Sequence, residues 1–433
     1  MKTEKLIEAI NIQKATPILA ELYGTGKDTV ARQKERYETL IRNFREAFGA
    51  DEISLYSTPG RSEIGGNHTD HNRGRVLAAA VNLDALAAAS PSGDDTIILF
   101  SSGYKKPITL NLRSLSPIKK ERGTSAALIR GIAFRLRELG YQAGGFRAWV
   151  DSEVMVGSGL SSSASFEVLV GTIFNHLFNN GRIKPLELAK AGQLAENGYF
   201  GKPCGLMDQT TCAVGGIVTI DFKDAENPLV KRVDFDITKQ GYRLLVVDTG
   251  GDHADLTEDY AAIPREMRAV AKALGGREMR DVAAFDLLAN LPDLRMQTGD
   301  RAVLRAIHFL QENERVEKQV RALQRKDFTS FLALVRESGE SSYKWLQNCY
   351  PAADPSEQGV ALALALSENF IKESGEGACR VHGGGFAGTI QVFLPEKQVR
   401  SYSTLMESVF GAGSVRSLSI RQKGSIRLGD IIT

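Results

Sequence analysis

The chain is poor in cysteine, has no long apolar run and carries almost no excess of either charge. Each shortage closes off a class of protein. The four cysteines, Cys204, Cys212, Cys349 and Cys379, include no CxxC pair and are scattered. That excludes a disulfide framework or a cysteine zinc cluster and fits a reducing compartment, so a cytoplasmic location is expected. A net charge of +2 gives no electrostatic reason to bind nucleic acid or an anionic membrane. No run of about 18 apolar residues occurs, so no bilayer-spanning helix is expected. Even the Ala-rich residues 76–89 contain Asn82 and Asp84. Residues 1–24 mix Lys and Glu with apolar positions and read as helix rather than signal peptide. Fixed-period repeats and low-complexity tracts are also lacking.

What is present is a globular chain of 433 residues, 42% hydrophobic, long enough for two or three domains. In residues 28–48, Val30, Tyr37, Leu40, Ile41, Phe44 and Phe48 share a helical face, which Gly49 closes. Strand patterns follow at 52–58, 76–89, 96–101 and 108–112, then a helix at 124–139 and a strand at 146–154. Helices are expected at 166–178 and 185–197, and strands at 217–222 and 242–248. Helical periodicity dominates from 256 to about 374. A strand at 389–394, a helix at 396–410 and two short strands finish the chain. Strands early and helices late, with little βα alternation, favour an α+β fold over a doubly wound sheet. The charged stretch 223–240 marks the expected lobe boundary, giving lobes 1–222 and 223–433.

Three polar, glycine-broken stretches interrupt this pattern. The turn Gly157-Ser158-Gly159-Leu160-Ser161-Ser162-Ser163 lies between a strand and a helix. Bare N–H groups and the positive end of a helix dipole then face one point, which is an anion site. No Lys follows the glycines, so it is not a Walker loop, and the third Gly of the dinucleotide fingerprint is missing. The second stretch runs from Pro59 to Gly74 and contains His68-Thr69-Asp70-His71. Alone, that tetrad also fits a metal cluster, although no third imidazole or Cys is placed to complete one. The third is His382-Gly383-Gly384-Gly385-Phe386-Ala387-Gly388.

Together these motifs resemble the GHMP kinases, and within them the galactokinases. The galactokinase sugar loop reads roughly GRVNLIGEHTDYNxG, against residues 60–74 here. The GxGLSSSAS loop is intact at 157–165, GxMDQ at 205–209 and GGGFxG at 383–388. The resemblance implies a two-lobe α+β architecture. The N-terminal lobe would be like the second domain of ribosomal protein S5 and carry the sugar and phosphate loops; the C-terminal lobe would be ferredoxin-like. It implies a cytoplasmic ATP-dependent sugar 1-kinase using Mg²⁺, with galactose as acceptor.

The site residues follow by the same resemblance. Residues 157–163 would hold the nucleotide phosphates, and Ser163 and Glu196 would hold Mg²⁺. Asp208 would be the catalytic base, with Arg61 as its cationic partner. Asn67, His68, Asp70, Gly205 and Tyr260 would contact the sugar, Tyr260 in a His-x₆-Tyr setting that begins at His253. Two departures stand out: Asn67 where galactokinases carry the Glu that helps bind the C6 hydroxyl, and His71 where they carry Tyr. They leave a galacturonate-like substrate as an alternative, beside a non-catalytic sugar sensor. The stretch Glu121-Arg122-Gly123-Thr124 lacks the tryptophan that often lines the adenine pocket.

Overall fold

The structure is a computed structural model that describes residues 3–11, 15–49, 52–154, 159–251, 256–386 and 388–429. Two sheets organise it. The larger has eight strands: β1 (Ser54–Gly65), β2 (Arg75–Pro91), β3 (Thr96–Ser101), β4 (Ile108–Asn111), β5 (Phe146–Ser152), β6 (Ile217–Asp221), β7 (Leu229–Val233) and, from the C-terminal end of the chain, β12 (Ile426–Arg427). Its path runs β12-β1-β2-β5-β3-β4, with β6 on the first half of β2 and β7 on β6. The smaller sheet has four strands in the order β11-β8-β10-β9: Val415–Leu418, Tyr242–Asp248, Thr389–Pro395 and Ala378–Val381. All three of its pairings are antiparallel.

The Ala-rich strand β2 is the spine of the larger sheet, and its composition explains its burial. Side chains alternate across a strand. Ala85, Ala87 and Ala89 face the helices Ser125–Glu138 and Ser162–Phe178. Leu86 and Ala88 face Tyr37, Leu40, Ile41 and Phe44 of the helix Lys27–Phe48. Small side chains let layers close on both faces, so this stretch reads as a nearly unbroken apolar run.

Two differences from the sequence reading matter for the site. The polar stretch from Pro59, expected as a loop, continues β1 as far as Gly65 and is buried throughout. It pairs with β2, with register shifts at Pro59/Arg61 and Glu63/Gly65. The expected boundary at 222/223 also falls inside the larger sheet. β7 lies beyond it yet pairs with β6, and β12 returns to pair with β1. Strand β7 is an exposed edge, so its sequence carries the polarity of a linker. Elsewhere the expected elements are present, and the helix after the phosphate turn begins earlier, at Ser162.

A buried ionic cluster pins the C-terminal segment to the larger sheet. Asp84, fully buried on β2, accepts from Arg36 at 2.7 Å, Arg421 at 3.0 Å and Tyr23 at 2.7 Å, and from Ser57. Burial alone would raise this carboxyl, but Arg36 and Arg421 outweigh it and hold it below its ordinary value.

Candidate active site

The site lies where β1, the helix start at Ser162 and the helix Met207–Val214 meet the smaller sheet. Its centre is one ion pair. Arg61, on β1, donates from Nε to Asp208 Oδ1 and from Nη2 to Oδ2, both at 2.6 Å. This is the bidentate fork that fixes a carboxylate in plane. Asp208 sits in the first turn of its helix, where the helix dipole also favours an anion. Ser161 Oγ donates a third bond to Asp208 Oδ2 at 2.7 Å. Burial would raise the Asp208 carboxyl, yet Arg61 and then Ser161 hold it below the usual range. Burial would likewise lower Arg61, and Asp208 keeps it raised. Both groups are therefore ionised across the working pH range. Asp208 keeps 28% side-chain exposure against 8% for Arg61, so the carboxylate is the member a substrate can reach.

The phosphate turn is built against this pair. The Arg61 N–H donates to Leu160 O at 3.0 Å, and Arg61 Nη1 donates to Gly159 O. Ser161 takes the left-handed conformation at φ 60° and opens the helix Ser162–Phe178. First-turn N–H groups of an α-helix have no intrahelical partner, so those of Ser162 and Ser163 are available to an anion. Gly159 must be glycine here: φ is +70°, and a Cβ would lie 2.5 Å from Thr389 Oγ1 and 2.8 Å from His382 Nδ1. The smaller sheet thus presses directly on the phosphate turn. Gly157 and Ser158, expected in the same cradle, lie outside the described residues, as does His253.

Glu196 lies on a widened helical turn, Ala195–Phe200, and is only 3% exposed. Its Oε2 accepts from Gln209 Nε2 at 3.0 Å, and the same nitrogen donates to Glu167 Oε2 at 3.0 Å. Glu167 is fully buried, and burial together with Glu196 pushes its carboxyl well above the usual value. Glu167 Oε1 and Gln209 Oε1 are buried with no hydrogen-bond partner. Among the described residues the two carboxylates have only Lys202, 3.9 Å from Glu196 Oε1, as a nearby cation, and unpartnered oxygens beside them suit a hard divalent cation. Among the described residues no group of three His, Cys, Asp or Glu forms a metal cage. Mg²⁺ shared with substrate phosphates needs only one or two carboxylates, so Ser163 and Glu196 remain a chemically suitable pair.

The expected sugar residues lie near one another, with the rings of His68 and Tyr260 6.4 Å apart. Asp70 opens a single helical turn, Asp70–Asn72, and its Oδ1 accepts the His71 N–H at 3.0 Å. Gly205 lies against it: a Cβ there would fall 1.8 Å from Asp70 Oδ2. His68, at φ 58°, shares a hydrogen bond at 2.9 Å between its Nε2 and Gly384 O. Burial lowers its imidazole to about 3, so the ring is neutral and Nε2 carries the proton. Tyr260 OH donates to Gly385 O at 3.0 Å, and burial pushes the phenol up to about 12. Asn67 departs from expectation. It is fully buried and bonded to Glu63 of β1, to the glycine loop at Gly383 and to Ser342 and Asn348 rather than turned toward an open pocket.

Sequence reasoning missed several neighbours of these residues. Arg380, fully buried, pairs with Glu63 at 2.7 Å and donates to Ile64 O at 2.8 Å. His382 Nε2 and Ser62 Oγ are 3.1 Å apart, and Gln391 Nε2 donates to Ser62 Oγ at 2.6 Å. One sequence signal existed for Glu167: it follows Ser163 by four residues, one helical turn.

The model for the GHMP kinases N terminal domain matches residues 125–216, and the galactokinase galactose-binding signature matches residues 42–91. A galactokinase of Streptomyces coelicolor is 32% identical over 383 residues, covering 88% of this chain and 94% of that protein. The Homo sapiens galactokinase is 34% identical over 384 residues, covering 84% and 90%. Among solved structures, Lactococcus lactis galactokinase complexed with galactose superposes with a TM-score of 0.76 at 25% identity, covering 89% of this chain and 98% of that one. Methanococcus jannaschii mevalonate kinase shares the fold, with a TM-score of 0.61 at 17% identity over 85% of this chain and 98% of that one. The architecture is the α+β fold of the GHMP kinases, as expected, and the chain belongs to the galactokinase family.

Proposed function

We propose that this protein transfers the γ-phosphoryl group of ATP to the C1 hydroxyl of galactose, giving galactose 1-phosphate and ADP. The observation that carries the proposal is the Arg61–Asp208 fork, which sets an ionised, partly exposed carboxylate beside the helix start at Ser162. Phosphoryl transfer asks mainly for positioning and charge stabilisation, and both are built in. The N–H groups at the start of the helix would hold the nucleotide phosphates, together with the preceding turn. Asp208 accepts a hydrogen bond from the C1 hydroxyl, orients it in line with the γ-phosphorus and takes its proton as the new O–P bond forms. The bond to the β,γ-bridging oxygen breaks, and ADP leaves. Arg61 keeps Asp208 charged and offsets negative charge spreading over the transferring group.

Ser163 and Glu196 would hold Mg²⁺ beside the phosphates, and the ion would supply neutralisation of their negative charge. Asp70, with Gly205 leaving room for its carboxylate, would accept sugar hydroxyls, and the rings of His68 and Tyr260 would border the sugar. The galacturonate and sensor alternatives are disfavoured. The relatives matched over most of their length are galactokinases, and the fork a sensor could dispense with is intact. The test is ADP release with Mg·ATP against galactose, N-acetylgalactosamine, galacturonate, arabinose and mevalonate. Galactose should give the highest kcat/KM; ATP turnover with none of these acceptors would remove the proposal.

A further inference from the structure

Asn67 is the best-connected side chain in the sugar loop. Its Nδ2 donates to Glu63 Oε1 at 2.9 Å and to Gly383 O at 2.7 Å. Its Oδ1 accepts from Asn348 Nδ2 at 2.8 Å and from Ser342 Oγ at 3.2 Å. An amide has two donor hydrogens and two acceptor sites, so all four are spent. Its backbone carbonyl is 3.0 Å from His308 Nε2. The side chain is fully buried. A substrate hydroxyl has no route to it and no hydrogen-bonding capacity left to meet.

The neighbours explain why an amide stands here. Glu63, four residues earlier on β1, supplies a carboxylate, and Arg380 neutralises it at 2.7 Å. Asn67 thus faces two acceptors, the Glu63 carboxylate and the Gly383 carbonyl, and must donate to both. A carboxylate at 67 has no proton to give either and would sit against a second buried negative charge. In the sugar-loop pattern GRVNLIGEHTDYNxG the amide stands at the position of Glu63 and the carboxylate at that of Asn67, so here the two groups have changed places. The rungs beyond Asn67 continue the same tie. His68 Nε2 reaches Gly384 O, and Tyr260 OH reaches Gly385 O. Asn348 Nδ2 also donates to Gly384 O at 3.2 Å. Three successive carbonyls of the glycine loop are therefore each held by a side chain from elsewhere in the site. The same loop follows His382, whose ring packs on the phosphate turn at Gly159.

We propose that Asn67 is a positioning residue that ties the sugar loop to the glycine loop of the smaller sheet, and that it does not read the sugar's C6 hydroxyl. The substrate part of this inference rests on the galactokinase reading; the tie itself does not. Losing Asn67 should loosen residues 383–386 and slow turnover, while leaving discrimination at C6 where it was.

The experiment compares wild type with Asn67→Ala on galactose and 6-deoxygalactose, alongside amide hydrogen exchange over the glycine loop without any ligand. Expected for Asn67→Ala are at least tenfold faster exchange across residues 383–386, a kcat at least tenfold lower with both sugars, and a galactose to 6-deoxygalactose ratio of kcat/KM within about threefold of wild type. A contact to the C6 hydroxyl would instead make that ratio collapse by about tenfold or more, the scale of one charge-assisted or well-made hydrogen bond. That result, or unchanged exchange, overturns the proposal. Should Asn67→Ala not fold, Asn348→Ala removes the partner on the other side of the tie and carries the same expectations. If wild type fails to phosphorylate galactose at all, the functional reading falls, whereas the exchange comparison still decides whether the tie exists.

Discussion

Replacing Asp208 with asparagine keeps the shape of the side chain and removes its charge. In the structure Asp208 accepts three bonds, two from Arg61 and one from Ser161. The amide retains one oxygen, and its NH₂ then faces a donor. The neutral amide leaves the buried Arg61 without its counter-ion, a cost of about 3–5 kcal/mol. For a cooperatively unfolding chain of 433 residues the unfolding entropy is about 0.9 kcal/mol per K, so Tm should fall by only about 3–6 °C. Turnover should suffer far more. A positioned proton acceptor is worth about 10²–10⁴ in rate, or roughly 3–5 kcal/mol of barrier. The assay is coupled ADP release at saturating galactose and Mg·ATP, with ATP affinity measured by calorimetry and Tm by scanning fluorimetry. The expected result is a kcat at least a hundredfold lower, ATP affinity within about threefold of wild type and a small Tm shift. A kcat within tenfold of wild type would refute the assignment of Asp208. A large fall in Tm would show instead that the fork mainly holds the fold.

Three further outcomes follow from the same geometry. Arg61→Met removes the cation that outweighs burial at Asp208, so the acid limb of kcat against pH should move to higher pH; a limb at the wild-type position would detach the fork from the chemistry. Gly205→Ala places a Cβ on the Asp70 carboxylate, 1.8 Å from Oδ2, and should raise the galactose KM roughly tenfold or more with the ATP KM steady; equal rises in both would place Asp70 outside the sugar site. Asp84→Asn leaves the fully buried Arg421 without an ion-pair partner among the described residues, whereas Arg36 keeps Asp151, and should cost about 3–5 kcal/mol at neutral pH. Because Asp84 is held below its unfolded value, its contribution is present above the ordinary carboxylate range and lost as pH falls through it. The variant's Tm should therefore decline less steeply in acid than wild type, and parallel curves would contradict the depressed carboxyl.

Local pattern carried the regular elements, because a helix or strand with one apolar face announces its period. The strands at 96–101 and 242–248 stand where periodicity put them. It failed where polarity is matched by distant groups instead of water. Arg61, Ser62 and Glu63 look like a solvated loop, yet they lie on a buried strand because Asp208, His382, Gln391 and Arg380 satisfy them. Each of those partners is more than 140 residues away, so nothing local reports them. The run of serines misled for a related reason. Small hydroxyl residues carry little helical period, so the pattern places the helix from 166, but Ser162 and Ser163 form its first turn, where such residues serve well. The Arg61 and Asp208 pairing was legible only through the resemblance, since no spacing rule joins residues on β1 and a helix after the phosphate turn. Asn67 shows the reverse. Its identity reads as a substrate signal, and its neighbours make it a hydrogen-bond hub between β1, the glycine loop and residues 342–348.

The account turns on where the phosphoryl group lands. After reaction of the wild-type protein with Mg·ATP and galactose, proton and phosphorus NMR of the product reads the attachment directly. A single new sugar phosphate is expected, its anomeric proton scalar-coupled to phosphorus, formed in step with ADP and at least about a hundredfold more slowly with Asp208→Asn. Phosphate on any other carbon, or undiminished product with Asp208→Asn, would contradict it.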